Sequence, residues 1–311
     1  MTGPPAGRAA HLTPAERIGF LMLVMAAIAF GLAPSGAKLA YAGGTEPLTL
    51  VALRFFASAV GVGVVALMLG RPLTLRLRSA IGAVALGMLL VWNAFGYLSA
   101  IHYIPVSLAA ALFYTFPIQV GVMATIIGHE RLTWARLAAL LLGFCGVILA
   151  VGTEVRGLDW RGVGFAIGAG TGVAVSSITF ERMSRRGDRV TMVLWATISA
   201  TAVTWTAVLA TGGLVWPSGD LGWAGLAMTV LCFAFALVTY YLALPRVGAV
   251  RAAMVANLEP VIAITAAMVI LVERPTLARL AGVGLILGAI LLMHVSDRRR
   301  RRADQSGVQG S

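Results

Sequence analysis

The chain has 311 residues, of which 59% are hydrophobic and only 12% charged, about half the charged share of a typical globular chain. A surface this apolar must face lipid, which excludes a water-exposed enzyme, a disordered chain and a collagenous one. The net charge of +12 does not read as nucleic-acid binding, because the basic residues sit between apolar runs as in cytoplasmic membrane loops.

A helix needs about 20 apolar residues to cross a ~30 Å hydrocarbon layer. Ten runs of that kind occur, near 18–40, 48–69, 79–101, 105–128, 133–151, 162–180, 190–211, 221–242, 247–272 and 276–295. The first reads as a retained helix and not a cleaved signal, since its apolar core is long and Pro34 spoils the small-residue site at Gly31-Leu32-Ala33. Cys145 and Cys232 both lie inside apolar runs, so no disulfide framework, metal site or cofactor is implied.

Alternate loops divide the basic residues unevenly. One side collects Arg8, Arg17, Arg71, Arg76, Arg78, Arg131, Arg136, Arg182, Arg185, Arg186, Arg189, Arg246, Arg251 and Arg298–Arg302; the other has Arg156, Arg161, Arg274, Arg279 and Lys38. The bias places both termini in the cytoplasm. Lys38 is the only lysine, which with the abundant Ala and Gly points to a GC-rich bacterial source and its inner membrane. The basic stretch at 298–302 reads as a topology anchor that meets anionic lipid.

Sliding the chain by 143 residues superposes Glu130-Arg131 on Glu273-Arg274, Thr133 on Thr276, and Ala135-Arg136-Leu137-Ala138 on Ala278-Arg279-Leu280-Ala281. The same offset pairs Pro117 with Pro260 and Tyr97 with Tyr240, and a weaker offset of 141 pairs Gly31 with Gly172. The expected fold is therefore all-α, with ten transmembrane helices in two five-helix repeats over 18–151 and 160–296, between cytoplasmic tails at 1–17 and 297–311. Five is odd, so the second repeat enters the membrane from the opposite side and the two have inverted topology.

The segment Asn257-Leu258-Glu259-Pro260, followed by Leu271-Val272-Glu273-Arg274-Pro275-Thr276, resembles the second EamA domain of the drug/metabolite transporter superfamily. Tyr114-Thr115-Phe116-Pro117, followed by Gly128-His129-Glu130-Arg131-Leu132-Thr133, resembles the first, departing at Phe116 where the second half has Glu259. The resemblance implies a central cavity between the halves, lined largely by helices 1, 3, 4, 6, 8 and 9. Lys38 and Arg54 also sit where that superfamily tends to carry basic residues.

A charge near the bilayer centre costs about 2.5–3.5 kcal/mol on insertion scales, so it should face a cavity or a partner. Glu259, halfway along its run, reads either as a substrate-amine or proton site or as a structural partner of Arg54 or Arg251. Pro117 and Pro260 should kink matching helices, and paired interruptions point to a midplane site. Arg54 either holds a substrate carboxylate or snorkels, and Lys38 reads as snorkelling. Trp92, Asn93, Tyr97, Tyr114, Trp195, Tyr240 and Asn257 lie within spans and suit either the walls of an amphipathic cavity or ordinary packing. The glycines at 164, 168, 172, 284 and 288 follow small-xxx-small spacing, which reads as close packing within a monomer or as a dimer face.

No phosphate-binding loop, zinc helix or nucleophile elbow is present. The expected activity is secondary transport of small amphipathic metabolites such as amino acids, outward across the plasma membrane, with the lipid bilayer and the small molecule as partners. Proton coupling through Glu259 and facilitated exchange fit equally. Uptake by the same fold and a non-transporting membrane scaffold are the alternatives; the paired prolines and deep carboxylate argue against the scaffold.

Overall fold

The computed structural model describes residues 13–104, 109, 112–127, 134–151, 159–184, 188–270, 276–278, 280–289 and 291–292. Among them are helices and no strands: α1 (Pro14–Ala42), α2 (Pro47–Met68), α3 (Leu77–Tyr103), α4 (Phe116–Ile126), α5 (Trp134–Val151), α6 (Trp160–Met183), α7 (Arg189–Ala210), α8 (Gly219–Val247), α9 (Ala249–Ala256) and α10 (Leu258–Ile270). A last apolar helix, α11, covers Leu280–Ala289. Within α1, α2, α3, α6, α7 and α8 lie six stretches long and apolar enough to cross a membrane. Glu130-Arg131, Thr133, Glu273-Arg274 and the basic stretch 298–302 lie outside the described residues.

Helix starts follow local chemistry. Thr13 and Glu16 form a reciprocal capping box ahead of Pro14 at the first helical position. Asp159 and Asp188 accept from the backbone N–H of Arg161 and Thr191 at the heads of α6 and α7. Along the spans, hydroxyls bond back to their own helices, as Thr197 does to Val193 O and Ser58 to Arg54 O. Large apolar side chains such as Leu67, Ile81, Leu209 and Leu231 point outward, whereas the interior is rich in Ala, Gly, Ser and Thr. That distribution suits a bundle in lipid, where small residues let helices approach.

The halves interleave. The most extensive pairings are α1 with α8, α3 with α6 and α2 with α7. The pairings α3–α7 and α2–α8 correspond on exchange of the halves, as do α4–α6 and α1–α10. Glycines set the closest approaches. A Cβ on Gly36 would lie 2.8 Å from Gly225 O, and one on Gly146 would lie 2.8 Å from Gly282 O. Gly31 abuts Glu259 O on α10, but Gly172 faces Trp92 on α3. The glycine that abuts the counterpart helix is Gly170, against Phe113 O.

Two sets of contacts tie the ends of the bundle. At one, the α2–α3 connection is fixed to the head of α7 by Arg71–Asp188 (3.4 Å) and by Thr191 Oγ1 donating to Pro72 O (2.5 Å). At the other, Ser218 N donates to Gly43 O (2.7 Å) and Val215 N to Thr49 Oγ1 (3.0 Å).

Candidate substrate site at the paired helix breaks

The ninth expected span is not continuous. It divides into α9 and α10 at Asn257, three residues before Pro260. Proline lacks the N–H that would bond residue i−4 and its ring clashes with that carbonyl, here Ala256, the last residue of α9. The first half repeats the pattern: Tyr114 and Thr115 form a turn and α4 begins at Phe116, with Pro117 in its first turn. The carbonyl Pro117 cannot serve is that of Phe113, which faces α6 at Gly170, 2.9 Å from where a Cβ would stand. Discontinuous helices at matched positions are tolerated where the freed backbone lines protein or a cavity.

Around these breaks several sequence-nominated residues meet. Glu259, in the first turn of α10, has the Tyr114 side chain as a hydrogen-bond partner. Tyr97 on α3 and Tyr240 on α8 stand close enough for its charge to act on them. Glu259 and Tyr97 keep accessible surface, while Tyr114 and Tyr240 are buried. Tyr240 is fixed by Ser177 Oγ (3.1 Å), and rings of Phe30, Phe113 and Phe116 close the surroundings. The assembly is one carboxylate ringed by hydroxyl-bearing aromatics, able to hold a proton or an ammonium group.

Other nominated residues lie elsewhere. Asn257, at the break itself, is 3% exposed and its Nδ2 packs against Gly143 on α5. Trp92 donates from Nε1 to Gly168 O (3.1 Å) and packs on Gly172, with Asn93 beside the same glycine. Trp195 donates to Leu73 O (2.8 Å) at the α2–α3 connection. Lys38 is exposed on α1. Arg251 pairs with Glu16 (3.5 Å), and Arg54 donates to Thr229; the partner acting on Glu259 is Tyr114.

The profile of the EamA-like transporter family matches residues 17–152 and again 160–295. The chain belongs to this family. It is 28% identical to the threonine/homoserine exporter RhtA of Escherichia coli K12 over 216 residues, covering 70% of this chain and 71% of that one. It is 26% identical to the uncharacterized transporter YvbV of Bacillus subtilis, covering 65% and 68%. A solved crystal structure superposes with a TM-score of 0.78 at 20% identity, covering 90% of this chain and 98% of that one, which shows a shared fold. The chain is thus a multi-pass membrane transporter with two EamA units.

Sequence reading of this EamA chain missed a second polar group beside the first break. Thr171 Oγ1 on α6 donates to Gln119 Oε1 (2.7 Å), and Gln119 Nε2 donates to Thr115 Oγ1 (2.9 Å). It also missed Glu181 on α6, whose Oε2 accepts from Ala249 N (2.9 Å) and caps α9. Gln119 offered a signal, being one turn beyond the Thr115-Phe116-Pro117 break. Glu181 offered none, because its partner is 68 residues away in the chain.

Proposed function

We propose that this EamA member is a secondary transporter that exports small amphipathic metabolites, amino acids among them, across a bacterial inner membrane by alternating access. The observation that carries this reading is the Glu259 carboxylate set among Tyr97, Tyr114 and Tyr240 where the helix breaks of the two halves meet. Its proposed framework is ten spans in two inverted five-helix units with both termini in the cytoplasm. The odd number of expected spans per repeat and the uneven loop charges support that topology, as does the correspondence of helix pairings when the halves are exchanged. The relatives that are threonine/homoserine exporters of E. coli and Salmonella support amino acids and the outward direction.

In the proposed cycle the halves rock about the breaks. Glu259 binds the cargo's ammonium on one side and a proton on the other, so that cargo and proton exchange at one group. The backbone freed at Pro117 and Pro260 gives each half a joint there. The test is flux of labelled threonine, homoserine and other amino acids in proteoliposomes, with an imposed pH difference, for the wild type and Glu259→Gln. Wild-type flux that responds to pH and a variant that does not is the expected result. A variant with the same pH-driven flux removes the coupling, and no wild-type flux of any amino acid removes the substrate class.

A further inference from the structure

Arg54 stands apart from the Glu259 site. It lies two turns into α2, where its Nη2 donates to Thr229 Oγ1 on α8 and its guanidinium carbon lies 5.2 Å from the centroid of the Phe233 ring. Thr229 precedes Tyr240 by eleven residues on α8, about 16 Å along the axis at 1.5 Å per residue. Aromatic rings fill the interval: Phe233 meets Phe30 at 5.6 Å and Phe55 at 5.8 Å edge-on, and Phe30 meets Tyr240 at 6.5 Å. That offset is several times the separation of the ammonium and carboxylate of one α-amino acid, which share a carbon.

A guanidinium inside a membrane span ordinarily has an acidic partner. Among the described residues the ion pairs Arg71–Asp188, Arg161–Asp159 and Arg251–Glu16 do not take up Arg54. Its Nε is buried without a hydrogen-bond partner, although the residue as a whole keeps accessible surface, as do Phe30 and Phe233. Thr229, fully buried, and the Phe233 ring fix the plane of the fork. That leaves the buried Nε to be answered, and a planar carboxylate matches such a fork through two parallel hydrogen bonds.

We propose that Arg54, with Thr229 and Phe233, forms a second ligand station that takes a monocarboxylate, distinct from the Glu259 site and joined to it by the Phe30–Phe233 aromatic path. A zwitterionic cargo meets the two stations in succession, its ammonium at Glu259 and its carboxylate at Arg54. The station itself does not depend on which cargo is carried.

Labelling of the wild-type chain tests this without any substitution. The protein in lipid nanodiscs is treated with phenylglyoxal, and modification of Arg54 is followed by peptide mass spectrometry with propionate or methylammonium present. Propionate should slow the modification at least threefold and methylammonium should not; an Arg54 that is unreactive, or that reacts equally fast with propionate, overturns the station. In proteoliposomes, Arg54→Gln should cut threonine flux at least tenfold while keeping flux of threonine amide, which lacks the carboxylate, within threefold. Equal loss of both overturns the carboxylate role. Wild-type vesicles that move neither compound count against the transport reading alone, and the labelling result still decides the station.

Discussion

The α1–α8 contact allows a prediction in which one unwanted effect cancels. A methyl added at Gly225 would stand 2.5 Å from Leu39 Cβ, 2.6 Å from Gly36 O and 2.7 Å from Ala40 N, two of them backbone atoms that no rotamer change can move. Carbon contacts are optimal near 3.5–4.0 Å, so α1 and α8 must part by roughly 1 Å. Overpacking of this kind costs about 1–3 kcal/mol, offset by the ~1 kcal/mol that Gly→Ala gains in a helix interior. Gly164 on α6 has nothing within 4 Å of its Cβ position, so Gly164→Ala keeps the gain without the crowding. Comparing the two variants removes the propensity effect and leaves about 1–3 kcal/mol. At about 2–4 °C per kcal/mol for chains of a few hundred residues, Gly225→Ala should melt some 2–12 °C below Gly164→Ala in detergent, followed by size-exclusion of heated samples. If Gly225→Ala melts with or above Gly164→Ala, the glycines do not set the helix approach and the packing argument fails.

Three further outcomes follow from single contacts. Gly248 alone links α8 to α9 at φ 91° and ψ 151°, a region that is essentially glycine-only; Gly248→Ala should cost about 1–3 kcal/mol and lower the melting temperature. Trp92→Phe removes the bond to Gly168 O at a cost of about 0.5–1.5 kcal/mol, and should lower stability without changing the apparent KM for transported substrate. Asp159 at the head of α6 accepts from the Arg161 side chain and backbone N–H, which holds its carboxyl below the usual 3.8. Its charged form therefore favours the folded chain, and that support is present above about pH 4 and lost as pH falls through the lowered value. Asp159→Ala should melt below the wild type at pH 7, and the gap should narrow as melts are run at progressively lower pH below about 4.

The apolar runs made the long helices legible, since α1, α2 and α6 to α8 each need a whole span of lipid-compatible side chains. Pro117 and Pro260 made the breaks legible too, because a missing N–H acts on the chain wherever it lies. The direction of the side chains beside a break was not legible. Asn257 and Glu259 lie two residues apart across the break, yet one stands against Gly143 and the other against Tyr114. Trp195 suited either a cavity wall or ordinary packing, and the acceptor that its indole N–H finds, Leu73 O at the end of the bundle, could not be read from its own apolar run. Arg54 was legible as a charge at depth, but Thr229, 175 residues on, was not legible as its partner.

The departure between the halves at Phe116 and Glu259 explains why one charge serves two repeats. Tyr97 and Tyr240 are mates at the 143-residue offset, and both stand near the same carboxylate, so Glu259 lies where the equivalent walls converge. A second carboxylate at position 116 would face it as a like charge, and two acids sharing a site cannot both ionise readily. Phe116 instead is 3% exposed and packs with Phe113 and Tyr114. Duplication thus supplies the matched breaks and the tyrosines that flank them, while divergence at a single position gives both walls one carboxylate to share.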